Sequence, residues 1–371
     1  MSADDDERLP FIDLSPGSDA AEIREAIERV LTRGWFILGP EVEAFEVEFA
    51  AASGAKHGIG VGNGTDAIAL ALRAAGVNPG DEVIVPAMTA AFTGLAVVAA
   101  GAVPVIADVD PRTLTLDARA CADAITPRTR AIVPVHLYGQ AADMLEIMVV
   151  ADRHRLVVIE DCCQAHLATC NGLPVGTIGA AGAFSFYPTK NLGACGDGGA
   201  VITSDGALAD RVRLLRNGGQ TNRNLHAVPG VNSRLDELQA AILRVRLPNL
   251  LPETALRRLH AAFYRDALTG DVAPVAERDP GHVYHLFPVR SARREALQAH
   301  LARAGVETLI HYPIPLHEQP AFAHLASRDC PVATRAAAEL LSLPLHARLH
   351  ARQAARVAEA IQVFEKGSID E

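Results

Sequence analysis

Val157-Val158-Ile159-Glu160-Asp161 is an apolar run that ends in two carboxylates. Unbroken apolar sequence of this length is the pattern of a strand buried on both faces, as in a parallel sheet covered by helices. A helical pattern over 141–155 precedes this strand, placed at 156–161. Working outward, the alternation repeats: strand 59–61, helix 65–75 stopped by Gly76, strand 82–86, helix 89–100, strand 103–108, helix 117–125 with Asp117 as its cap, strand 131–136. Two short strands follow at 183–187 and 200–203, separated by Gly-rich sequence. Ahead of the alternation lie two helices, 19–33 with Ile23, Ile27, Val30 and Leu31 on one stripe, and 40–52 with Pro40 in its first turn. Helices at 233–247 and 253–268 follow, and the pattern changes after about Leu251, with a strand at 282–290 and helices at 292–304, 332–341 and 352–364. The fold class expected is α/β: a large domain over 1–250 with a mostly parallel central sheet flanked by helices, and a smaller α+β domain over 251–371.

Composition narrows the function. The 371 residues carry 34 Lys+Arg against 44 Asp+Glu, a formal net charge of −10, which argues against a nucleic-acid or anionic-membrane partner. With 49% hydrophobic and 21% charged residues the chain is globular rather than disordered. The longest apolar run, 94–107, is broken by Gly101 and Pro104 and is too short to span a bilayer. The acidic stretch 1–8 has no apolar segment of a secretory leader. Six cysteines form neither a CxxC pair nor a zinc spacing, and the histidines pair with no matching carboxylate. The expectations are a cytoplasmic protein with reduced thiols and no metal. Lysine is scarce: it occurs at Lys56, Lys190 and Lys366, and the other 31 basic residues are arginine. Any chemistry that needs an amine has three candidates.

Three segments carry candidate chemistry. Gly62-Asn63-Gly64-Thr65-Asp66 joins a strand to a helix. Free N–H groups at a helix start bind anions, and glycine lets a phosphate approach closely; the other reading is a tight turn with Thr65 as N-cap. Asp161, with Gln164 and His166 just beyond, ends a buried strand where open α/β sheets place their ligands. It either caps a turn or meets a buried partner such as a protonated pyridine nitrogen. Lys190 follows the apolar Phe184-Ser185-Phe186-Tyr187 and precedes the glycines of 193–199. Such surroundings ease loss of the ammonium proton and suit a Schiff-base amine. Lys56 lies in a polar turn and Lys366 near the C-terminus, where both would be solvated.

In combination the motifs GNGTDA (62–67), VIEDCCQAH (158–166), FSFYPTKNLGA (184–194), GDGGAV (196–201) and GVNSRLDELQAAIL (230–243) resemble the DegT/DnrJ/EryC1/StrS family of sugar aminotransferases, from about Phe11 to the end. The resemblance implies the pyridoxal-phosphate-dependent transferase fold type I. It implies a Schiff base of pyridoxal 5′-phosphate on Lys190, with pyridoxamine phosphate as intermediate and Lys190 as the proton carrier. Asp161 would pair with the pyridinium nitrogen and Gln164 with the ring's 3-oxygen. The Gly64 turn, the N–H groups of Thr65 and Asp66 and the Ser185 hydroxyl would hold the phosphate. Asn232 would reach that phosphate from the second subunit of a homodimer. Arg234, His136, Tyr138 and Tyr312 become candidates for the substrate side, with a structural role the other reading for His136 and Tyr312. The implied reaction moves an amino group from glutamate or glutamine to a nucleotide-linked keto-deoxysugar, with the His-Leu-Tyr-Gly and His-Tyr-Pro segments leaning to 3-keto over 4-keto substrates. Alternatives are a keto-cyclitol aminotransferase, a sugar dehydratase (where relatives replace the lysine by histidine) and a non-catalytic cofactor-binding regulator. Two positions depart from the pattern: Ala90 stands where relatives carry an aromatic residue stacked on the ring, and Cys162-Cys163 replaces Ala-Ala.

Overall fold

The computed structural model describes residues 8–15, 17–325 and 329–367. Helices α1 (Ala20–Arg33) and α2 (Pro40–Ala52) precede an alternating region. Its elements are β1 (His57–Val61), α3 (Gly64–Ala74), β2 (Glu82–Pro86), α4 (Ala91–Ala99), β3 (Val103–Ala107), α5 (Ala118–Asp123), β4 (Thr129–Ile132), α6 (Met144–His154) and β5 (Val157–Asp161). After the short hairpin β6 (Thr169–Cys170) and β7 (Leu173–Pro174) come β8 (Ala181–Ser185), β9 (Gly199–Thr203) and α7 (Gly206–Arg216). A second hairpin, β10 (Gln220–Asn222) and β11 (Leu225–His226), leads to α8 (Glu237–Arg246) and α9 (Leu250–Ala267). The C-terminal part holds β12 (Ala273–Pro274), β13 (Phe287–Arg290), α10 (Arg294–Arg303), α11 (Pro331–Glu339), β14 (Leu340–Leu343) and α12 (Ala351–Lys366).

Seven strands form the main sheet in the order β1-β9-β8-β5-β4-β2-β3. Neighbours pair in parallel from β8 through β3, whereas β9 runs antiparallel to both β1 and β8. The strands at 131–136 and 282–290 are shorter than the apolar pattern predicts, ending at Ile132 and starting at Phe287. The stretch 332–341 is a helix only to Glu339 before β14 begins, because β14 pairs with β13. The segment starting at Leu9 adds to the C-terminal part: the Leu9 N–H donates to the Gly305 carbonyl at 2.8 Å, and Leu9 is buried among Phe287, Val306 and Leu341.

The two faces of the sheet are covered differently. On one, α3 is buried almost all round between the sheet, α4 and α7, as its Ala/Ile/Leu sequence requires. On the other, Phe45 and Phe49 of α2 meet Phe184 and Phe186 edge-on at 5.1–5.2 Å. Strand alternation sends Phe184 and Phe186 to that face and turns Ser185, between them, to the opposite one. The start of α2 is held by Glu237, whose buried carboxylate accepts from Gly39, Glu41 and Val42 N–H at 2.8–3.0 Å. That satisfies donors a helix start leaves open. Among the described residues, no helix is long and apolar enough to cross a membrane.

Candidate active site

The parallel strands deliver their C-terminal ends to one edge, where the chain supplies its chemistry. Val61 ends β1 before the turn into α3, Pro86 ends β2 before α4, Asp161 ends β5 and Ser185 ends β8. Gly64 is the contact point. A Cβ there would lie 2.7 Å from both the Cys163 Sγ and the Ser185 Cβ, so only glycine lets these turns close on one another.

The helix start differs from expectation. Asn63, not Thr65, is the cap of α3, its side-chain oxygen accepting from Asp66 N–H at 2.8 Å. Asp66 N–H is thereby taken, and the Asp66 carboxylate accepts from the Ser233 hydroxyl at 2.6 Å, tying α3 to the 230–243 segment. The N–H groups of Gly64 and Thr65 find no protein acceptor among the described residues. Two open donors beside the half-buried Ser185 hydroxyl, at the positive end of a helix, are an arrangement that can receive an anion without a basic side chain.

Asp161 is 4% exposed. Its Oδ1 accepts from Cys163 N–H at 3.1 Å and its Oδ2 from the Thr93 hydroxyl at 2.8 Å. Each oxygen keeps accepting capacity for one more donor. Lys190 is half-buried in the turn after β8, whereas Lys56 and Lys366 are exposed. Its turn is held by Lys190 N–H donating to the Tyr187 carbonyl at 2.8 Å and by Asn191 Nδ2 donating to the Val283 carbonyl at 3.0 Å. Burial lowers the Lys190 pKa, opposed by Cys163 and Asp161. The histidines around it add no cation: burial, then Lys190 itself, brings His166 down to about 3 and His311 to about 4, and holds His285 well below its usual range. The Cys163 thiol is pushed well up by burial and then by Asp161, so it stays protonated. Burial thus favours the neutral amine at Lys190, and the nearby Asp161 carboxylate opposes it. The donor set fits pyridoxal phosphate: an amine, a carboxylate with spare acceptor capacity, and an anion cradle at a helix start.

Gln164 is oriented by two contacts. Its Oε1 accepts from Tyr138 N–H at 2.7 Å and its Nε2 donates to the Tyr312 hydroxyl at 2.8 Å. Tyr312 is half-buried at the site and lies close enough to Asp161 and Cys163 for their charges to act on it. Tyr138, 1% exposed, turns its hydroxyl to the His311 carbonyl and presents no atom outward. His136 is fully buried: its Nδ1 accepts from Ala142 N–H at 3.1 Å, so Nε2 carries the proton it donates to Glu160 at 2.9 Å. Arg234 donates to Asn217 Oδ1 at 3.1 Å, and Asn232 is exposed with its backbone bridged to Asn217. Ala90 caps the start of α4 half-exposed, and Phe92 is 64% exposed. Among the described residues, His136, Glu160 and Cys162 place possible metal-ligating atoms within 4.8 Å of one another. Hydrogen bonds account for that cluster, since Glu160 also accepts from Gly176, Ile178 and Gly179 N–H at 2.7–2.8 Å. Sequence reading missed Thr93, Ser233 and Asn191. The i, i+4 spacing of Thr89 and Thr93 was the available signal for the first.

A family model described as the DegT/DnrJ/EryC1/StrS aminotransferase family matches residues 18–362. A dTDP-3-amino-3,4,6-trideoxy-alpha-D-glucose transaminase of Streptomyces venezuelae is 48% identical over 362 residues, covering 96% of each chain. A Geobacillus stearothermophilus protein called a pleiotropic regulatory protein is 47% identical, covering 96% of this chain and 98% of its own. The crystal structure of S. venezuelae DesV in complex with a ketimine intermediate superposes with a TM-score of 0.94 at 46% identity, covering 96% of this chain and 98% of that one.

Proposed function

The chain belongs to the DegT/DnrJ/EryC1/StrS aminotransferase family and is a pyridoxal-phosphate-dependent sugar aminotransferase, and we propose that it moves an amino group from glutamate or glutamine to a 3-keto-deoxysugar linked to a nucleotide. The observation that carries this reading is the pairing of Lys190, an amine whose burial favours its neutral form, with Asp161 beside the cradle of Gly64, Thr65 and Ser185. The 3-keto preference draws on the S. venezuelae relative, named for an amino group at sugar carbon 3.

Bound pyridoxal phosphate supplies an electron sink for the carbon that loses its proton. Lys190 Nζ holds the cofactor and moves that proton. Asp161 would hold the ring nitrogen, and Gln164, itself held by Tyr138 and Tyr312, would hold the ring oxygen. Gly64 and Thr65 N–H, with the Ser185 hydroxyl, hold the phosphate, while Asp66 latches the helix start to Ser233. Asn232 reaches the phosphate of a second copy in a homodimer, a reading supported by its exposure and by the exposed Trp35, Phe36 and Phe92. Tyr312 and Arg234 line the sugar side. The free thiols of Cys121, Cys162, Cys163, Cys170 and Cys195 support a cytoplasmic setting.

The test incubates the purified protein with cofactor, glutamate or glutamine, and dTDP- and UDP-linked 3-keto and 4-keto sugars, following product mass. The expected result is exchange of keto for amino on a 3-keto substrate. Amination of 4-keto sugars alone, or of none, overturns the substrate reading.

A further inference from the structure

Thr89 and Thr93 stand four residues apart where the chain enters α4, and both are buried, at 3% and 2% exposure. A buried hydroxyl needs a partner. Here the two share a directed chain. The Asp161 carboxylate can only accept, so the Thr93 hydroxyl donates to its Oδ2 at 2.8 Å. Thr93 Oγ1 then accepts from Thr89 at 2.8 Å. Two donors thus fix the plane of Asp161 from different elements: Thr93 on Oδ2 and Cys163 N–H on Oδ1. The next residue holds the helix in place, because a Cβ on Gly94 would come within 2.7 Å of Phe322 and 3.1 Å of Leu316. The Leu316 N–H also donates to the Ala87 carbonyl at 2.7 Å. With α4 packed this closely against 316–322, Thr93 keeps its place under the carboxylate.

We propose that Thr93, backed by Thr89, is a positioning residue that aims the Asp161 carboxylate at the ring nitrogen of the cofactor. This rests on the reading that pyridoxal phosphate binds at Asp161. Thr93 touches no reacting atom; it acts through Asp161. Valine matches threonine in shape and lacks the hydroxyl, so Thr93→Val removes one hydrogen bond to a carboxylate and orphans the Thr89 hydroxyl.

The experiment compares wild type, Thr93→Val, Thr93→Ser and Thr89→Val as holoenzymes. It measures the dissociation constant of pyridoxamine phosphate and the ring-nitrogen shift of 15N-labelled bound cofactor. Thr93→Val is expected to weaken cofactor binding by about tenfold, the scale of one hydrogen bond to a charged group, and to move the 15N signal. Thr93→Ser, which keeps the hydroxyl, returns both values to within about twofold of wild type, and Thr89→Val gives a smaller loss in the same direction. Wild-type affinity and 15N shift in Thr93→Val, or failure of serine to restore them, overturns the inference. If Thr93→Val does not fold, Thr89→Val decides, and unchanged values there overturn it. A wild type that binds no cofactor sinks the cofactor reading instead.

Discussion

Glu160 and Asp161 are consecutive residues at the end of β5, both carboxylates and both buried, yet their surroundings are opposite. Glu160 points to the face where Gly176, Ile178 and Gly179 N–H and His136 Nε2 all donate to it. Asp161 points to the other and receives two donors, Cys163 N–H and Thr93. The saturated carboxylate belongs to the scaffold: it fastens the 176–179 loop and His136 to the sheet. The unsaturated one keeps capacity for a ligand. One step along a strand changes the face, and the face decides the role.

Four experiments break or sharpen that contrast. The largest effect is at the amine on the Asp161 side: Lys190→Ala should reduce amino transfer by roughly 10⁴-fold or more, the scale for losing a covalent nucleophile, with an unchanged unfolding midpoint. A loss of under about a hundredfold would remove Lys190 from the chemistry. Next, Glu160→Ala should cost about 3–5 kcal/mol of stability in denaturant unfolding, because it strands several buried donors, while Asp161→Ala costs about 1 kcal/mol but releases the cofactor. Equal stability losses would erase the distinction.

The third experiment lowers the pH. His166 titrates near 3 when folded against an ordinary 6.5, so the unfolded chain binds the proton first. Stability is then full above pH 6.5 and falls as the pH drops toward 3, by up to about 1.4 kcal/mol per unit from this residue. A flat profile of unfolding free energy between pH 7 and 5 would show that the surroundings of His166, packed against Phe184 and Phe186, are not dry. The smallest effect concerns the junction of the turns. Gly64→Ala should cost about 1–3 kcal/mol by overpacking against Cys163 and Ser185, and pairing it with Cys163→Ala should recover part of that loss.

Much of this site could be read along the chain. Lys190 and Asp161 were named from local sequence, because each lies at or just beyond the end of an apolar strand, whereas Gln164 and Ser185 took their roles from the family resemblance. The helix–strand alternation from β1 to β5 was legible for the same reason. Less local features were not. The reversed direction of β9 was hidden, since a short apolar run pairs either way. His136 was a substrate-side candidate through the family resemblance, with a structural role the other reading, and its direction depends on where Glu160 lies. Asp66 looked like a phosphate donor, but Asn63 claims its N–H and Ser233 its carboxylate.

By itself, the sequence determined the kinds of element, their order and the chemical inventory: one shielded lysine among three, a carboxylate at a strand end, and a glycine turn at a helix start. These follow from periodicity and side-chain chemistry over a few residues. The tertiary structure decided which carboxylate keeps free capacity, which N–H groups remain open and which hydroxyl stands behind Asp161. Those outcomes are contacts between residues such as Thr93 and Asp161, 68 positions apart. A hydrogen bond is decided by direction and distance in space, and neither is written in the spacing of residues along the chain.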